Sequence, residues 1–192
     1  MKKAIKNVTI IAFIALLSIS FTTINKEKKA IKVNESQVVW KGYKVTGTHE
    51  GTINIKTGFL NFEDQKLVGG EFVVDMTTIN TTDLQGEYKG KLDGHLKSDD
   101  FFGVTNFPMA SLVFTKVNAT TDNTYNVTAN LTIKGKTNPV TFTVTITGNK
   151  ATTSLKIDRT IYNIRYGSAS FFDNLKDKAI NNEFDLIVDL QF

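Results

Sequence analysis

The fold is decided by two neighbouring stretches, Tyr125-Asn-Val-Thr-Ala-Asn-Leu-Thr-Ile133 and Val140-Thr-Phe-Thr-Val-Thr-Ile-Thr147. In both stretches apolar side chains alternate with Asn or Thr, and a period of two places successive side chains on opposite faces of a β-strand. The intervening Lys134-Gly-Lys-Thr-Asn-Pro139 has the composition of a turn. We therefore predict a β-hairpin with one apolar face and one polar face.

The same alternation extends over most of the remaining chain. At the C-terminus it involves Phe184, Leu186, Val188, Leu190 and Phe192, and we predict further strands at 38–45, 51–56, 58–62, 69–76, 110–117 and 151–159. About eight to ten antiparallel strands, each with one apolar face, must close into a barrel or pack as a two-sheet sandwich. The periodicity does not choose between these two architectures. Without a long linker or a repeat of fixed period, the sequence predicts a single all-β domain.

The segment 84–96 departs from the alternation. Apolar residues and glycines each recur there every four positions, as Leu84, Tyr88, Leu92 and Leu96 and as Gly86, Gly90 and Gly94. The apolar spacing suits a helix, although each glycine costs a helix roughly 1 kcal/mol relative to alanine. We predict a short helical segment near 84–96. It is either a loop with one or two helical turns or a helix whose glycine face approaches the barrel mouth as a lid or plug.

The composition of the 192-residue chain excludes several kinds of chemistry. Because the chain has no cysteine, it forms no disulfide, thiolate zinc site or cysteine nucleophile. Two histidines leave little room for a metal site, and we predict neither a metal nor a cofactor. Sequence motifs of metalloproteases, α/β-hydrolases and phosphate-binding loops are also missing. We therefore predict that the protein is not an enzyme.

The N-terminus resembles a secretory signal peptide. Met1 to Lys6 is basic, and residues 8–19 form an apolar run interrupted only by Thr9 and Ser18. The run is shorter than the roughly 20 residues needed to span a bilayer, so we predict no stable membrane anchor. We expect cleavage near Ser20 and a periplasmic or secreted protein. The expected organisation is a signal peptide at 1–20, a flexible basic leader at 21–34 and the barrel domain at 35–192.

Most of the positive charge belongs to the predicted signal peptide. Residues 1–20 carry Lys2, Lys3 and Lys6 and no acid, so their removal lowers the formal net charge from +4 to +1. A protein this close to neutral has no broad basic surface for phosphate backbones. We therefore predict no nucleic-acid partner.

Several motifs occur in an order that matches a known family. They are Gly47-Thr-His-Glu-Gly51, Gly94-His-Leu-Lys-Ser-Asp-Asp-Phe-Phe102, Asn106-Phe-Pro108, Asn130-Leu-Thr-Ile-Lys-Gly-Lys-Thr-Asn-Pro139 and Asp158-Arg159. With them, the chain from Trp40 onward resembles the YceI-like polyisoprenoid-binding family. The resemblance implies an antiparallel lipocalin-like β-barrel outside the cytoplasm. It also implies an elongated apolar pocket for an isoprenoid or similar long-chain, fatty-acid-like lipid.

Candidate tail contacts are apolar residues on strand faces and aromatic residues in connections. The strand candidates are Trp40, Phe72, Val74, Val127, Leu131, Phe142, Val144 and Ile146. The rim candidates are Phe101, Phe102, Phe107, Phe171 and Phe172, because an aromatic residue in a connection has no strand face to occupy. The alternative for every one of these residues is an ordinary place in the core or in a packed loop.

Candidate head-group contacts are Arg159, Arg165, His95 and Lys97. A guanidinium group suits bidentate recognition of a phosphate or carboxylate. The alternative for Arg159 is an ion pair with Asp158, Asp75 or Asp185. His95 stands near Asp93, Asp99 and Asp100 in the sequence, so it could also serve as a general base or metal ligand. We favour a structural role for His95 in the turn at 98–102.

These observations predict an exported, non-catalytic protein that holds a polyisoprenoid or similar amphipathic lipid in an apolar barrel pocket. One alternative is a structural or stress-response barrel filled by its own side chains and without a ligand. A second alternative is a metal-dependent or histidine-based enzyme centred on His95. A homodimer is also compatible with the sequence, because exposed edge strands often pair.

Overall fold

The computed structural model describes residues 23–192, and the predicted signal peptide lies outside this range. In the described part, the strands are β1 (Lys26–Ala30), β2 (Gln37–Lys44), β3 (Gly47–Glu63), β4 (Lys66–Thr81), β5 (Met109–Thr121), β6 (Thr124–Ile133), β7 (Lys136–Thr147), β8 (Lys150–Asp158) and β9 (Ile180–Gln191). The α-helix is α1 (Gly86–Lys97), and the short 3-10 helices are Val33–Glu35, Arg159–Tyr162 and Lys176–Lys178.

Strands β2 to β9 form a closed antiparallel barrel. Their order is β3-β2-β9-β8-β7-β6-β5-β4, and β4 pairs back onto β3. Strand β1 lies outside this ring and pairs with the second half of β3, with Lys26 opposite Glu63. The predicted single all-β barrel of eight to ten strands is therefore confirmed. Closure between β3 and β4 decides the choice between barrel and sandwich, which periodicity left open.

The barrel can close because its two longest strands bend. Strands β3 and β4 contain 17 and 16 residues, and their register shifts at three places along β3. One shift falls at Lys56, because Ile55 lies opposite Val74 while Thr57 lies opposite Val73. Such β-bulges kink a strand and increase its twist without ending it. The two strands predicted at 51–56 and 58–62 are therefore one continuous strand.

The leader predicted to be flexible over 21–34 is partly ordered. Lys26–Ala30 is a β-strand, and the next residue, Ile31, is buried with 7% of its surface exposed. The Lys28 ammonium lies 3.5 Å from the centre of the Phe59 ring. A run of lysines predicts a solvated segment, but here the backbone pairs with β3 and a lysine stacks on an aromatic ring. The prediction of flexibility is wrong for this strand.

The core is built from the inward-facing positions of the strands. Val127 and Ala129 on β6 are fully buried, and Leu60 on β3 is 1% exposed. Fully burying a valine or leucine side chain contributes roughly 1.5–3 kcal/mol. Strands β4, β5 and β7 each add an aromatic ring, since Phe114 lies 5.7 Å from Phe72 and 5.8 Å from Phe142. The alternation read from the sequence thus becomes one continuous apolar interior.

Helix α1 confirms the predicted helical segment but not the expected role of its glycines. Leu96 is buried and Leu92 is partly buried against the core. The Asp93 carboxylate accepts hydrogen bonds from the Thr81 backbone N–H at 2.8 Å and from the Lys89 ammonium at 2.5 Å. A Cβ atom at Gly90 or Gly94 would meet no atom within 4 Å. The glycine face therefore does not approach the barrel, and the leucines make the contact instead.

Between residues 23 and 192, no helix combines the length and the apolar character that crossing a membrane requires.

Candidate functional site

The barrel interior holds two adjoining cavities. The first cavity has a volume of about 130 Å³ and the second about 90 Å³. Both are lined by the same four side chains at their junction, which are Val38, Val74, Leu131 and Leu186. Helix α1 contributes Leu96 to the first cavity only. The first cavity therefore lies toward the end of the barrel that α1 covers, and the second continues away from α1.

Most of the strand candidates line these cavities. Trp40, Val74, Phe101, Phe102, Leu131 and Arg159 line the first cavity. Phe72, Val74, Leu131, Phe142 and Val144 line the second. Sequence reasoning missed other lining residues, including Val38, Ile53, Met76, Ile79, Leu96, Ile133, Phe184 and Leu186. Val38, Met76 and Ile133 lie two positions along their strands from the candidates Trp40, Val74 and Leu131, respectively. Extending the alternation by one step from each candidate would therefore have found them.

Other candidates lie outside the lining of both cavities. Val127 is fully buried in the core, and Ile146 is partly buried against it. Phe107 packs over Gly135, where a Cβ atom would come within 3.0 Å of its ring. Phe171 and Phe172 are 45% and 51% exposed. Of the aromatic residues expected at the rim, only Phe101 and Phe102 therefore contact the interior space.

Arg159 is the charged residue most deeply buried at the first cavity. It is 2% exposed, and its guanidinium donates three hydrogen bonds to backbone carbonyl oxygens. Nε–H bonds to Asn181 at 2.9 Å, Nη1 to Ile164 at 2.7 Å and Nη2 to Ile180 at 3.0 Å. A guanidinium has five N–H groups, so two remain without a partner among the described residues. These groups belong to a side chain that lines the first cavity, whose surface is otherwise almost wholly apolar.

The expected ion pair of Arg159 with an acid is not formed. No ion pair among residues 23–192 involves Arg159. The Asp158 carboxylate instead accepts from Thr160, and that of Asp75 accepts from Thr77. Asp185 accepts from Tyr43 and Lys156. Burial lowers the pKa of Arg159, an effect that the nearby Asp158 charge partly opposes.

Trp40 supplies a second buried donor at the first cavity. Its indole Nε1 is buried and has no hydrogen-bond partner among the described residues. The ring lies against Gly51, where a Cβ atom would come within 2.5 Å of Trp40 Cζ2 and 2.1 Å of the Asn80 carbonyl oxygen. Only glycine fits this close approach, which explains why the residue opposite Trp40 in the β2–β3 pair is a glycine. Trp40 and Arg159 are thus two lining residues of the first cavity that carry buried N–H groups without a partner among the described residues.

His95 lies behind the cavity wall and not in it. Its ring packs edge-on against Phe101 at 5.4 Å and Tyr166 at 4.5 Å between ring centres. Burial is the main cause that lowers its pKa; the Arg159 charge lowers it further and Asp100 opposes the shift. The His95 Nε2 atom is buried and lacks a hydrogen-bond partner in the described chain. Asp93 and Asp99, its neighbours in sequence, bind Thr81 and Asn106 instead.

The remaining polar candidates are also outside the cavity. Arg165 is exposed and stacks on Phe171, with its guanidinium carbon 4.6 Å from the ring centre. Lys97 ends α1 and does not line either cavity. Of the four head-group candidates, only Arg159 reaches the interior space. Within residues 23–192, no group of three or more His, Cys, Asp or Glu residues is placed to hold a metal ion.

The first cavity is lined by exposed residues at the junction of β2 and β9. Gly42 lies opposite Phe184 and Lys44 lies opposite Ile180, so the single residue Tyr43 faces three residues of β9. This irregularity interrupts the ladder of hydrogen bonds. Tyr43, Asn181 and Glu183 line the first cavity, and the last two are exposed to solvent. We infer that the first cavity opens to the surface at this irregularity, which we call the mouth.

Comparison with known proteins agrees with this architecture. Residues 24–192 match the family described as YceI-like domain. A UPF0312 protein of Pseudomonas putida is 35% identical over 98 residues, which cover 51% of this chain and 49% of that protein. A UPF0312 protein of Pseudomonas fluorescens is 34% identical over the same length and the same shares of each chain. The chain thus spans about half the length of the curated relatives it matches.

Solved structures share the fold at low sequence identity. BcnA of Burkholderia cenocepacia has a TM-score of 0.63 and 22% identity, covering 83% of this chain and 98% of its own. A polyisoprenoid binding domain from Saccharophagus degradans has a TM-score of 0.54 and 12% identity, covering 88% and 99%. The YceI protein of Campylobacter jejuni has a TM-score of 0.51 and 16% identity, covering 100% and 99%. At these identities the likeness establishes the barrel alone.

Proposed function

This chain belongs to the family of YceI-like domains, and from that premise we propose that it is an exported, non-catalytic lipid-binding protein. The ligand is a polyisoprenoid or a similar long-chain amphipathic lipid. Its tail occupies the apolar barrel interior, and its head accepts hydrogen bonds from Arg159. The proposal assigns no cofactor and no catalytic residue.

The observation that carries the proposal is the buried Arg159. Burying an ionised group is costly unless it is paired or fully hydrogen-bonded. Arg159 is 2% exposed and has carbonyl partners but no acid partner among the described residues. An anionic or carbonyl-bearing head group would complete its hydrogen bonding and offset its charge. The indole N–H of Trp40 is a second donor for the same head group.

The apolar interior of the barrel supports a ligand with a long hydrocarbon tail. Each Å² of apolar surface removed from water contributes roughly 25 cal/mol, offset by the freedom that the lipid loses on binding. The cavities of about 130 and 90 Å³ lie below the roughly 300–1,000 Å³ of most ligand pockets. A long tail therefore requires the interior to widen, and we expect the large rings that line the second cavity, Phe72, Phe114 and Phe142, to move when it does. The Saccharophagus degradans neighbour is described as polyisoprenoid-binding, which agrees with this class.

The test is native mass spectrometry, with lipid extraction, of the exported protein purified without detergent. We expect a stoichiometric adduct whose extracted mass matches an isoprenoid or related lipid. A protein that is free of ligand and stays so after polyprenyl lipids are added would contradict the proposal. The small cavity volumes favour one second candidate in that case, a structural or stress-response barrel filled by its own side chains.

Export is part of the proposal and has its own test. The basic Met1 to Lys6 segment and the following apolar run support a signal peptide that is cleaved near Ser20. Chemical sequencing of the protein recovered from outside the cytoplasm should start close to Phe21. Persistence of Met1 in that protein would show that the segment is retained.

A further inference from the structure

The segment from the 3-10 helix Arg159–Tyr162 to the start of β9 exposes four large apolar side chains. Ile161 is 49% exposed, Tyr166 48%, Phe171 45% and Phe172 51%. Singly exposed apolar residues are normal on a protein surface, whereas clustered ones mark interaction sites. We call residues 165–178 the aromatic loop.

The aromatic loop is held in place by polar contacts, so its phenylalanines do not collapse onto the core. Ser168 is fully buried, and its hydroxyl donates to the Asn182 side-chain oxygen at 2.6 Å. The Asn182 amide donates in turn to the Ser170 hydroxyl at 2.8 Å. The backbone N–H groups of Phe171 and Phe172 both donate to the Ser168 carbonyl at 3.1 Å. The chain therefore builds a fixed turn that presents two adjacent aromatic rings to solvent.

The aromatic loop borders the mouth of the first cavity. A Cβ atom at Gly167 would lie 3.1 Å from Ile180 Cδ1, and Ile180 lines the cavity beside Asn181. On the other side, the Tyr166 ring contacts His95, whose ring also packs on the cavity residue Phe101. A molecule that passes through the mouth therefore passes beside this loop.

We propose that the aromatic loop docks the barrel on the surface of an anionic lipid bilayer, with the cavity mouth facing the membrane. Aromatic side chains are favoured at the boundary between head groups and acyl chains. The exposed Arg165 stacks on Phe171, and Lys176 and Lys178 together with Asp173 and Asp177 leave the loop with one more cation than acid. Cations beside exposed aromatic rings match an anionic bilayer surface. Two adjacent, half-exposed rings can insert into lipid without the complementary pocket that a protein partner would need.

Docking of this kind is peripheral and reversible. It rests on the proposed function for its purpose, because a bilayer is the source or destination of the lipid that the barrel holds. The docking itself is measurable whether or not a lipid is found in the barrel.

The test is flotation of the exported protein with vesicles of equal parts phosphatidylcholine and phosphatidylglycerol. We expect binding by the unaltered protein and a loss of about tenfold or more in the variant that combines Phe171→Ser and Phe172→Ser. The matched control combines Val113→Ser and Ile187→Ser, because these side chains are 41% and 50% exposed on the barrel wall. The control should float like the unaltered protein. Circular dichroism melts verify that both variants are folded.

Native mass spectrometry of the same variants separates this proposal from the proposed function. Bound lipid in the Phe171→Ser, Phe172→Ser protein, together with lost flotation, supports docking as a separate property. Flotation of a protein that never carries a lipid supports docking and contradicts the proposed function. Failure of the unaltered protein to float, or an equal loss in the control, overturns the docking. The unaltered protein could instead form a dimer in solution and fail to float. If only the phenylalanine variant disrupted that dimer, the loop would be a contact between copies and the docking proposal would be overturned as well.

Discussion

At the residue scale, Arg159 shows how a buried charge can be held without an acid. Its three carbonyl partners come from Ile164, Ile180 and Asn181, which lie on two segments that meet only in the folded barrel. The sequence marks Arg159 as a head-group candidate because a guanidinium suits phosphate or carboxylate. It also offers three plausible acid partners, and none of them binds it. The residue type was readable from the sequence, but its partners depended on the fold.

Replacing Arg159 by lysine should weaken binding of a charged lipid selectively. Lysine carries one compact ammonium group and cannot reproduce the planar fork of hydrogen bonds. We expect about a tenfold or larger loss of affinity for a polyprenyl phosphate, equivalent to roughly 1.4 kcal/mol. Binding of the uncharged polyprenyl alcohol should change little. The measurement is a native mass spectrometry titration with both lipids.

The control for this substitution is Arg165→Lys, because Arg165 is exposed and does not line the cavity. It should leave both affinities unchanged. An equal loss for the phosphate and the alcohol in Arg159→Lys would remove the head-group role and leave Arg159 as a structural residue.

His95 should make the stability of the protein depend on pH in a mildly acidic range. Burial lowers its pKa below the ordinary value of 6.5, so the unfolded chain takes up the proton first. The contribution of neutral His95 to the free energy of unfolding is therefore fully present above about pH 6.5. It decreases as the pH falls below that value and is lost once the pH is below the pKa of His95 in the folded protein. We expect His95→Phe, which keeps an aromatic ring between Phe101 and Tyr166, to flatten this dependence.

Thermal melts between about pH 7.5 and about pH 5 check the His95 prediction. Carboxylates act at lower pH, since hydrogen bonds from Lys156 and Tyr43 hold the pKa of Asp185 below 3.8. The contribution of the Asp185 carboxylate to the free energy of unfolding is lost only as the pH falls below 3.8. A melting temperature that drops equally in both proteins over the mildly acidic range would contradict the assignment to His95.

At the element scale, α1 shows where sequence spacing and packing diverge. The four-residue repeat of leucine and tyrosine predicts the helix, and Leu92 and Leu96 do contact the core. Tyr88, in the same repeat, is 73% exposed. The glycine repeat suggested close approach to the barrel, yet Gly90 and Gly94 face open space. The helix is therefore weakened by glycines that no contact requires.

Replacing Gly90 and Gly94 by alanine should stabilise α1. No atom lies within 4 Å of either new Cβ, and alanine favours a helix by roughly 1 kcal/mol over glycine. We expect amide hydrogen exchange in α1 to slow by about fivefold for each substitution. Hydrogen-exchange mass spectrometry of the α1 peptides measures this effect.

Gly51→Ala is the contrasting change, because its Cβ would collide with the Asn80 carbonyl and the Trp40 ring. This variant should be destabilised and should shift the tryptophan fluorescence.

If Gly90→Ala and Gly94→Ala left exchange in α1 unchanged, the helix would not be limited by its glycine content.

At the scale of the whole molecule, the two cavities behave as one binding space only if lipid passes their junction. Val74 lies at that junction and lines both cavities. We expect Val74→Phe to block the passage and reduce retention of a long-chain lipid by about tenfold or more. The melting temperature should change little, because the larger ring has cavity space to fill on either side.

The matched control for the junction is Val113→Phe, which adds the same volume on the exposed face of β5. Lipid retention, measured by native mass spectrometry after purification, should be unaffected in this control. Full retention in a folded Val74→Phe protein would show that the lipid occupies one cavity only.

Local alternation, spacing and ordered motifs were enough to predict most of the strands, the short helix and the family, but not strand β1 or the continuity of β3. The tertiary structure alone decided the closure of β3 onto β4, the partners of Arg159 and which inward side chains leave space. Gly51 meets Thr81, and Arg159 meets Ile180, across long stretches of chain. The same period-two pattern serves a filled core and a lined cavity, since both require apolar residues facing inward. What separates them is the volume left between side chains from different strands, and that volume exists only after the barrel has closed.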